Sequence, residues 1–137
     1  MKMAVDDMYA DIILDYYRNP RNYGSLPDAG IKAKDYNPLC GDEIEITIKL
    51  NGNTVKDIKF SGKGCAISQA AASMLTEIVM GKSLEEAAKI GKQDVLDMLS
   101  IPISAVRIKC ALLSLKVLKV GIYSHIGGTL ESELKNL

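Results

Sequence analysis

Residues 43–60, which read EIEITIKLNGNTVKDIKF, decide the fold of this chain. Polar and apolar residues alternate with a period of two over 43–50 and again over 54–60, which predicts two half-buried strands. The intervening Asn-Gly-Asn is typical of a tight hairpin turn, so the two strands are expected to pair antiparallel. A further strand over 31–35 would complete a small antiparallel sheet.

Helical periodicity replaces this alternation on both sides of the hairpin. Before it, Val5–Arg18 carries apolar residues at helical spacing, and Pro20 ends this helix because the residue before a proline disfavours helical geometry. After the hairpin, helices are predicted over 65–80 and 92–101, and a Ser83–Glu86 capping box begins a short helix between them. A long C-terminal helix is predicted from Ser104, with an interruption near Gly121. This order indicates an α+β fold with helices on one face of the sheet.

Length and composition indicate one globular domain over residues 1–137. Hydrophobic residues make up 47% of the chain and charged residues 25%, a balance that allows a buried core. The 17 basic and 17 acidic side chains give zero net charge, so nothing in the charge favours nucleic acid or an anionic membrane surface. No apolar run is long enough for a membrane-spanning helix, so neither nucleic acid nor membrane is expected as a partner.

The three cysteines indicate metal binding or thiol chemistry rather than a disulfide framework. Their number is odd, and the acidic N-terminal segment is not typical of a signal peptide, so a reducing, cytoplasmic setting is expected. Each cysteine lies near a boundary between predicted elements. Cys40 precedes the hairpin, Cys65 begins a helix, and Cys110 lies early in the last helix.

A fourth candidate ligand, Asp42, follows Cys40 in the segment NPLCGD. Residues i and i+2 of an extended turn point to the same side, so this pair could face one ion. Cys65 follows two closely spaced glycines that would let the backbone approach a metal, and a helix N-terminus stabilises a thiolate. Together with Cys110, the set would suit zinc or an iron–sulfur centre. A polar turn and small buried thiols would explain the same residues, so both interpretations stay open.

Arg107 and His125 are two further polar residues with a possible role at a site. Arg107, in the segment RIKC, could attract a sulfide or persulfide anion or could lie on a solvated helix face. His125 is the only histidine and is expected to be solvated rather than a ligand. Core positions are expected at Tyr9, Ile12 and Ile13 in the first helix and at 112, 113, 115, 117 and 118 in the last.

Three segments in this order, NPLCGD, GKGCAIS and RIKC, resemble the cysteine motifs of the IscU/NifU-type iron–sulfur cluster assembly scaffolds. Residues 9–26 are also similar to the N-terminal helix and loop of that family, and the resemblance extends over 9–123. It implies an α+β fold in which helices cover a three-stranded antiparallel sheet. It also implies a platform rather than a conventional catalyst, on which a transient [2Fe-2S] cluster forms before transfer to acceptor proteins.

Motif matching places Cys40, Asp42, Cys65 and Cys110 on the ligand positions of that family. The resemblance implies that Cys110 accepts persulfide sulfur and that Asp42 is the labile ligand. The partners it implies are a cysteine desulfurase, an iron or electron donor and apo iron–sulfur acceptor proteins. A homodimer is a further possibility, because a two-iron cluster can lie between subunits.

Departures from the family pattern keep an alternative open. Lys109 stands where many of these scaffolds have histidine, and lysine there resembles the SufU-type branch, whose zinc-containing members accept sulfur from a desulfurase. That branch carries an insertion between the second and third cysteines, and the interval here looks too short for one. The Leu-Pro-Pro-Val-Lys segment that binds an Hsp70-type chaperone is missing, which makes that partnership doubtful. A closed structural zinc site is disfavoured by Asp42, since such sites normally use cysteine and histidine.

Overall fold

The structure, a computed structural model, describes residues 5–38 and 41–127, with the backbone alone for 5–9. Cys40 and the side chain of Tyr9 therefore lie outside the described residues. The elements in chain order are α1 Val5–Arg18, β1 Ile31–Asn37, β2 Asp42–Asn51, β3 Thr54–Lys63, α2 Ala66–Val79, α3 Leu84–Ala88, α4 Lys92–Leu99 and α5 Ala105–Ile126. The predicted α+β class is confirmed.

The sheet is antiparallel, with the strand order β1-β2-β3. The predicted hairpin joins β2 to β3, and Ile46 pairs with Phe60 across it. β3 continues to Lys63, beyond the predicted end at Phe60, and pairs there with Glu43. This extension leaves only Gly64 between the end of β3 and Cys65, so the strand leads directly into the start of α2.

Helices α2 and α5 pack together against one face of the sheet and enclose the core. On β2, every second residue from Ile44 to Ile48 is buried, as the alternation predicts. The predicted α5 positions are buried as well, namely Leu112, Leu113, Leu115, Val117 and Leu118. In α1, Ile13 is buried, whereas Ile12 is 42% exposed, so the prediction that Ile12 is a core residue was wrong.

The predicted interruption of the last helix at Gly121 is wrong, because α5 runs without a break from Ala105 to Ile126. Gly121 serves packing instead. A Cβ added there would lie 2.9 Å from Ile31 Cγ2 and 3.2 Å from the Ala33 Cβ, so the missing side chain lets α5 approach β1 closely. Tertiary packing thus accounts for a glycine that the local rule treats as a break.

The loop between α1 and β1 is fixed by hydroxyl groups of α2 and the sheet. Ser73 Oγ accepts a hydrogen bond from the Arg21 N–H at 2.7 Å, and Thr47 Oγ1 accepts one from the Leu26 N–H at 3.0 Å. Thr47 points away from the helices and is buried beneath this loop. Within the described ranges, no helix is both long and apolar enough to cross a membrane.

Candidate metal centre

Three of the predicted ligands meet at one end of the sheet. Asp42 begins β2, Cys65 is the N-cap residue of α2, and Cys110 lies in the second turn of α5. One potential ligand atom from each lies within 4.8 Å of the others. The structure therefore brings together side chains that are far apart in the sequence. The fourth predicted ligand, Cys40, lies outside the described residues.

The Asp42 carboxylate makes two different contacts with Cys65. Its Oδ1 accepts a hydrogen bond from the Cys65 backbone N–H at 2.7 Å, and its Oδ2 lies 3.6 Å from Cys65 Sγ, which donates to it. Asp42 is fully buried. A buried carboxylate is unfavourable unless it is hydrogen-bonded, so these contacts offset part of its desolvation.

The glycines of the segment Gly62-Lys63-Gly64 make this approach possible. Gly64 has a φ of +143°, and a Cβ there would lie 2.1 Å from Asp42 Oδ1. Gly62 has a φ of +152°, and a Cβ there would lie 1.9 Å from the Glu43 carbonyl oxygen. The sequence predicted that these glycines let the backbone approach a metal, and in the structure they bring it close to Asp42, one of the predicted ligands, and to β2.

The backbone carbonyl of Cys65 is hydrogen-bonded to the first turn of α2. Its carbonyl oxygen accepts hydrogen bonds from the Gln69 N–H at 3.1 Å and from Ser68 Oγ at 3.3 Å. The Gln69 side-chain amide donates to Ser68 Oγ in turn. Ser68 and Gln69 are both buried. Sequence reasoning missed them, and the only signal was their position one turn after the cysteine.

The site is open on one side. Asp42 and Cys110 are buried, with 0% and 1% of their surface exposed, whereas Cys65 is half-buried. Solvent or a partner therefore reaches this group of side chains past Cys65. His125 is exposed in the last turn of α5, as expected, and is not part of the cluster.

Arg107 lies beside the sulfurs. The sequence had left two roles open for this residue. Its exposed side chain lies three residues before Cys110 on the same face of α5, where the charges of both Cys65 and Cys110 act on it. The charge of the Cys65 sulfur, the hydrogen bond with it and the charge of Cys110 together raise the pKa of Arg107 above its ordinary value. A fixed positive charge thus lies beside the sulfur pair.

The donor set fits a thiophilic metal. Two ligands of one tetrahedral zinc lie about 3.3–3.8 Å apart, given metal–ligand bonds of about 2.0–2.3 Å. The 3.6 Å between Asp42 Oδ2 and Cys65 Sγ has that spacing. Thiolates also bind iron in iron–sulfur centres, where a carboxylate is the unusual member. The arrangement can therefore hold zinc, or iron together with sulfide.

Comparison with known proteins gives a consistent result. The family model for the NifU-like N-terminal domain matches residues 8–131. The chain is 40% identical to the zinc-dependent sulfurtransferase SufU of Bacillus subtilis, over 90% of this chain and 95% of that protein. It is 37% identical to the iron–sulfur cluster assembly scaffold protein IscU of Thermotoga maritima, over 85% of this chain and 94% of that protein.

A solved structure supports the same relationship. It is a crystal structure described as a candidate iron–sulfur cluster assembly scaffold protein for the SUF system of Fervidobacterium islandicum. It matches with a TM-score of 0.74 at 27% identity, over 87% of this chain and 99% of that one. The alignment with the Bacillus protein spans 141 positions, which is more than the length of this chain, so that relative contains residues without a counterpart here.

Proposed function

This chain belongs to the family of NifU-like N-terminal domains, and from that premise we propose that it is a scaffold for iron–sulfur cluster assembly. Iron and persulfide sulfur are its substrates, an electron donor reduces that sulfur to sulfide, and a [2Fe-2S] cluster, which is passed on to acceptor proteins, is the product. The observation that carries this proposal is the buried Asp42 carboxylate within 4.8 Å of two cysteine sulfurs. The similarity to proteins named as IscU scaffolds supports it.

The proposed ligands are Asp42, Cys65, Cys110 and Cys40. The first three have the geometry described above, and Cys40 is included because it lies two residues before Asp42 in the sequence. Thiolates bind iron strongly, whereas a carboxylate oxygen is a harder donor and is unusual in such centres. Asp42 is therefore the ligand that an incoming acceptor displaces first.

Sulfur delivery is assigned to Cys110 and a cysteine desulfurase. The Cys110 thiolate attacks the outer sulfur of a persulfide on the desulfurase, the S–S bond of the donor breaks, and the donor leaves as a thiolate. The donor is reduced as Cys110 becomes a persulfide, so no external reagent enters this step. Cys110 is buried, so the donor must approach from the side of Cys65. We infer a cytoplasmic setting, because this step requires reduced thiols.

Anaerobic reconstitution tests the scaffold proposal. The full chain is incubated with ferrous iron, cysteine and a cysteine desulfurase, and then analysed for iron, acid-labile sulfide and visible absorption. We expect a charge-transfer spectrum and equal amounts of iron and sulfide. The Cys65→Ser variant is the matched control and should form far less cluster. Absence of a chromophore in the unaltered chain would contradict the proposal.

Zinc-dependent sulfur acceptance is the second candidate function. The 40% identity to a protein named as a zinc-dependent sulfurtransferase favours it, and so does Lys109 beside Cys110. The same ligands would hold the zinc, which would keep bound thiolates deprotonated. Stoichiometric zinc, no chromophore after reconstitution and a faster turnover of the desulfurase would favour this function over the scaffold.

A further inference from the structure

Arg107 is the cation through which the open side of the centre meets the solvent. It lies three residues before Cys110, on the same face of α5, and the Cys110 sulfur in turn lies within 4.8 Å of the Cys65 sulfur. Its guanidinium is exposed, whereas Cys110 and Asp42 are buried. The guanidinium is therefore an exposed positive charge next to the buried ligands.

The chemistry of the centre makes a cation at this position necessary. Sulfur arrives as an anion, because a persulfide is a stronger acid than a thiol and is largely deprotonated near neutral pH. The centre that it approaches already has thiolates and the buried Asp42 carboxylate, all of which repel a second anion. A guanidinium carries its charge at every working pH and presents several N–H donors in a plane, which suits a sulfur anion held between neighbouring sulfurs.

We propose that Arg107, together with Cys65 and Cys110, forms a binding position for a small sulfur anion, the terminal sulfur of the donor persulfide. Arg107 is a positioning residue in this arrangement, because it lowers the repulsion that the anion meets and holds the anion beside the sulfur that accepts it. The proposal deepens the scaffold function and rests on it for the identity of the anion.

Another cation close to the site provides a matched comparison. Lys63 is also exposed and lies two residues before Cys65, but its charge acts on Glu43, the residue with which it pairs across the sheet. Lys63→Gln and Arg107→Gln thus each remove one positive charge close to Cys65. Only the second variant removes a charge from the helix face that carries Cys110.

Two alkylating probes measure the proposed anion position directly. Iodoacetate carries one negative charge and iodoacetamide carries none, and both react with the same thiolate of the reduced, metal-free chain. The ratio of their rates at Cys65 therefore cancels any change in thiolate population or nucleophilicity. Mass spectrometry of the Cys65 peptide gives both rates in the unaltered chain and in the variants Arg107→Gln, Arg107→Lys and Lys63→Gln.

We expect Arg107→Gln to lower the iodoacetate-to-iodoacetamide ratio about fivefold, the factor for one unit charge at about 4 Å in water. Arg107→Lys should keep most of the preference, and Lys63→Gln should change it far less than Arg107→Gln does. High salt should remove much of the preference in the unaltered chain. An unchanged ratio in Arg107→Gln, or an equal decrease in Lys63→Gln, would overturn the proposal whatever the function of the chain.

Sulfur transfer provides the second arm. With a persulfide-loaded desulfurase, Arg107→Gln should slow the arrival of sulfur on the chain, and Lys63→Gln should not. A lowered alkylation ratio with an unchanged rate of sulfur arrival would refute the part of the proposal that concerns sulfur. If the unaltered chain accepts no sulfur while the ratio still falls in Arg107→Gln, the anion position stands and the scaffold function fails.

Discussion

Asp42 Oδ1 and the Cys65 backbone N–H are joined by a 2.7 Å hydrogen bond across 23 positions of sequence. This bond fixes the start of β2 against the start of α2 and uses one oxygen of the carboxylate. The other oxygen, Oδ2, is turned towards Cys65 Sγ at 3.6 Å. One side chain can thus anchor the fold through Oδ1 and offer Oδ2 to a metal, so the loss of a metal bond need not disturb the backbone.

Replacement of Asp42 should slow cluster release. In Asp42→Ala the oxygen ligand is gone, so an acceptor must begin by displacing a thiolate, which binds iron more strongly. We expect transfer to an apo-acceptor to slow by at least about tenfold, which corresponds to an activation free energy higher by about 1.4 kcal/mol. Transfer is followed by the change in visible absorption. Unchanged transfer kinetics would contradict the role of Asp42 as the labile ligand.

Asp42→Asn separates the two roles of this residue. The amide oxygen can still accept from the Cys65 N–H, whereas alanine leaves that N–H without its acceptor. A hydrogen bond to a charged group contributes about 1.5–3 kcal/mol, so Asp42→Ala should lower the free energy of unfolding of the metal-free chain by about that amount. Asp42→Asn should lower the free energy of unfolding by less, as measured by urea unfolding.

A side chain at position 64 should weaken metal binding through Asp42. The Cβ of Gly64→Ala would lie 2.1 Å from Asp42 Oδ1, so the carboxylate must move. We expect zinc affinity, measured by competition with a chromophoric chelator, to fall about 10–100-fold, as for the loss of other groups that orient ligands.

Gly52→Ala is the control for backbone strain at a glycine. Gly52 also has a positive φ, +61°, but a Cβ there meets nothing within 4 Å. Gly52→Ala should therefore lower stability by about 1–2 kcal/mol and leave zinc affinity unchanged. Equal losses of zinc affinity in the two variants would show that Gly64 acts through general stability rather than through Asp42.

The hairpin was predictable because local pattern and tertiary fold agree there. The alternation over 43–60 and the Asn-Gly-Asn turn require only neighbouring residues, and the structure reproduces both strands. The end of β3 was missed because Ser61, Gly62 and Lys63 have no apolar alternation, and it is the pairing with β2 that keeps them extended. Gly121 was misread because its reason, the close approach to Ile31, exists only after α5 has packed on the sheet.

Three of the four predicted site residues meet in the structure, but their geometry was not predictable. Cysteines and an aspartate at element boundaries suggested a common position for Asp42, Cys65 and Cys110, which lie together in the structure. The full burial of Asp42 and the effect of both sulfurs on the charge of Arg107 depend on how β2, α2 and α5 meet. No single-sequence rule provides that arrangement.

Ser114 should be a position where removal of a hydroxyl stabilises the chain. Its Oγ is buried and has no hydrogen-bond partner among the described residues. An unsatisfied buried hydroxyl is unfavourable by about 1–3 kcal/mol, so Ser114→Ala should raise the free energy of unfolding by up to about that amount. Ser73→Ala is the contrast, since Ser73 Oγ accepts from the Arg21 N–H and its loss should destabilise the chain. A loss of stability in Ser114→Ala would contradict the assignment.

The ion pair between Asp35 and Lys116 should make stability depend on pH below the ordinary aspartate pKa. It joins β1 to α5 with a distance of 2.9 Å between Lys116 Nζ and Asp35 Oδ2. Burial alone would raise the pKa of Asp35, but the hydrogen bonds from Lys116 and from the Tyr36 N–H, with the charge of Lys116, hold it below its ordinary value of 3.8.

Since this pKa is lower in the folded chain than in the unfolded chain, the stabilisation is fully present above pH 3.8 and is lost as pH falls through the folded value. Both side chains are partly exposed, at 34% and 42%, so the contribution is at most about 1 kcal/mol. Urea unfolding should show that the free energy of unfolding falls less between pH 6 and pH 3 in Asp35→Asn than in the unaltered chain. Asp57→Asn is the control, because Asp57 Oδ1 accepts the same kind of bond, from the Ile58 N–H, and no ion pair of Asp57 is found within the described ranges. If the free energy of unfolding falls equally between pH 6 and pH 3 in both variants, the ion pair with Lys116 is not the cause of the pH dependence.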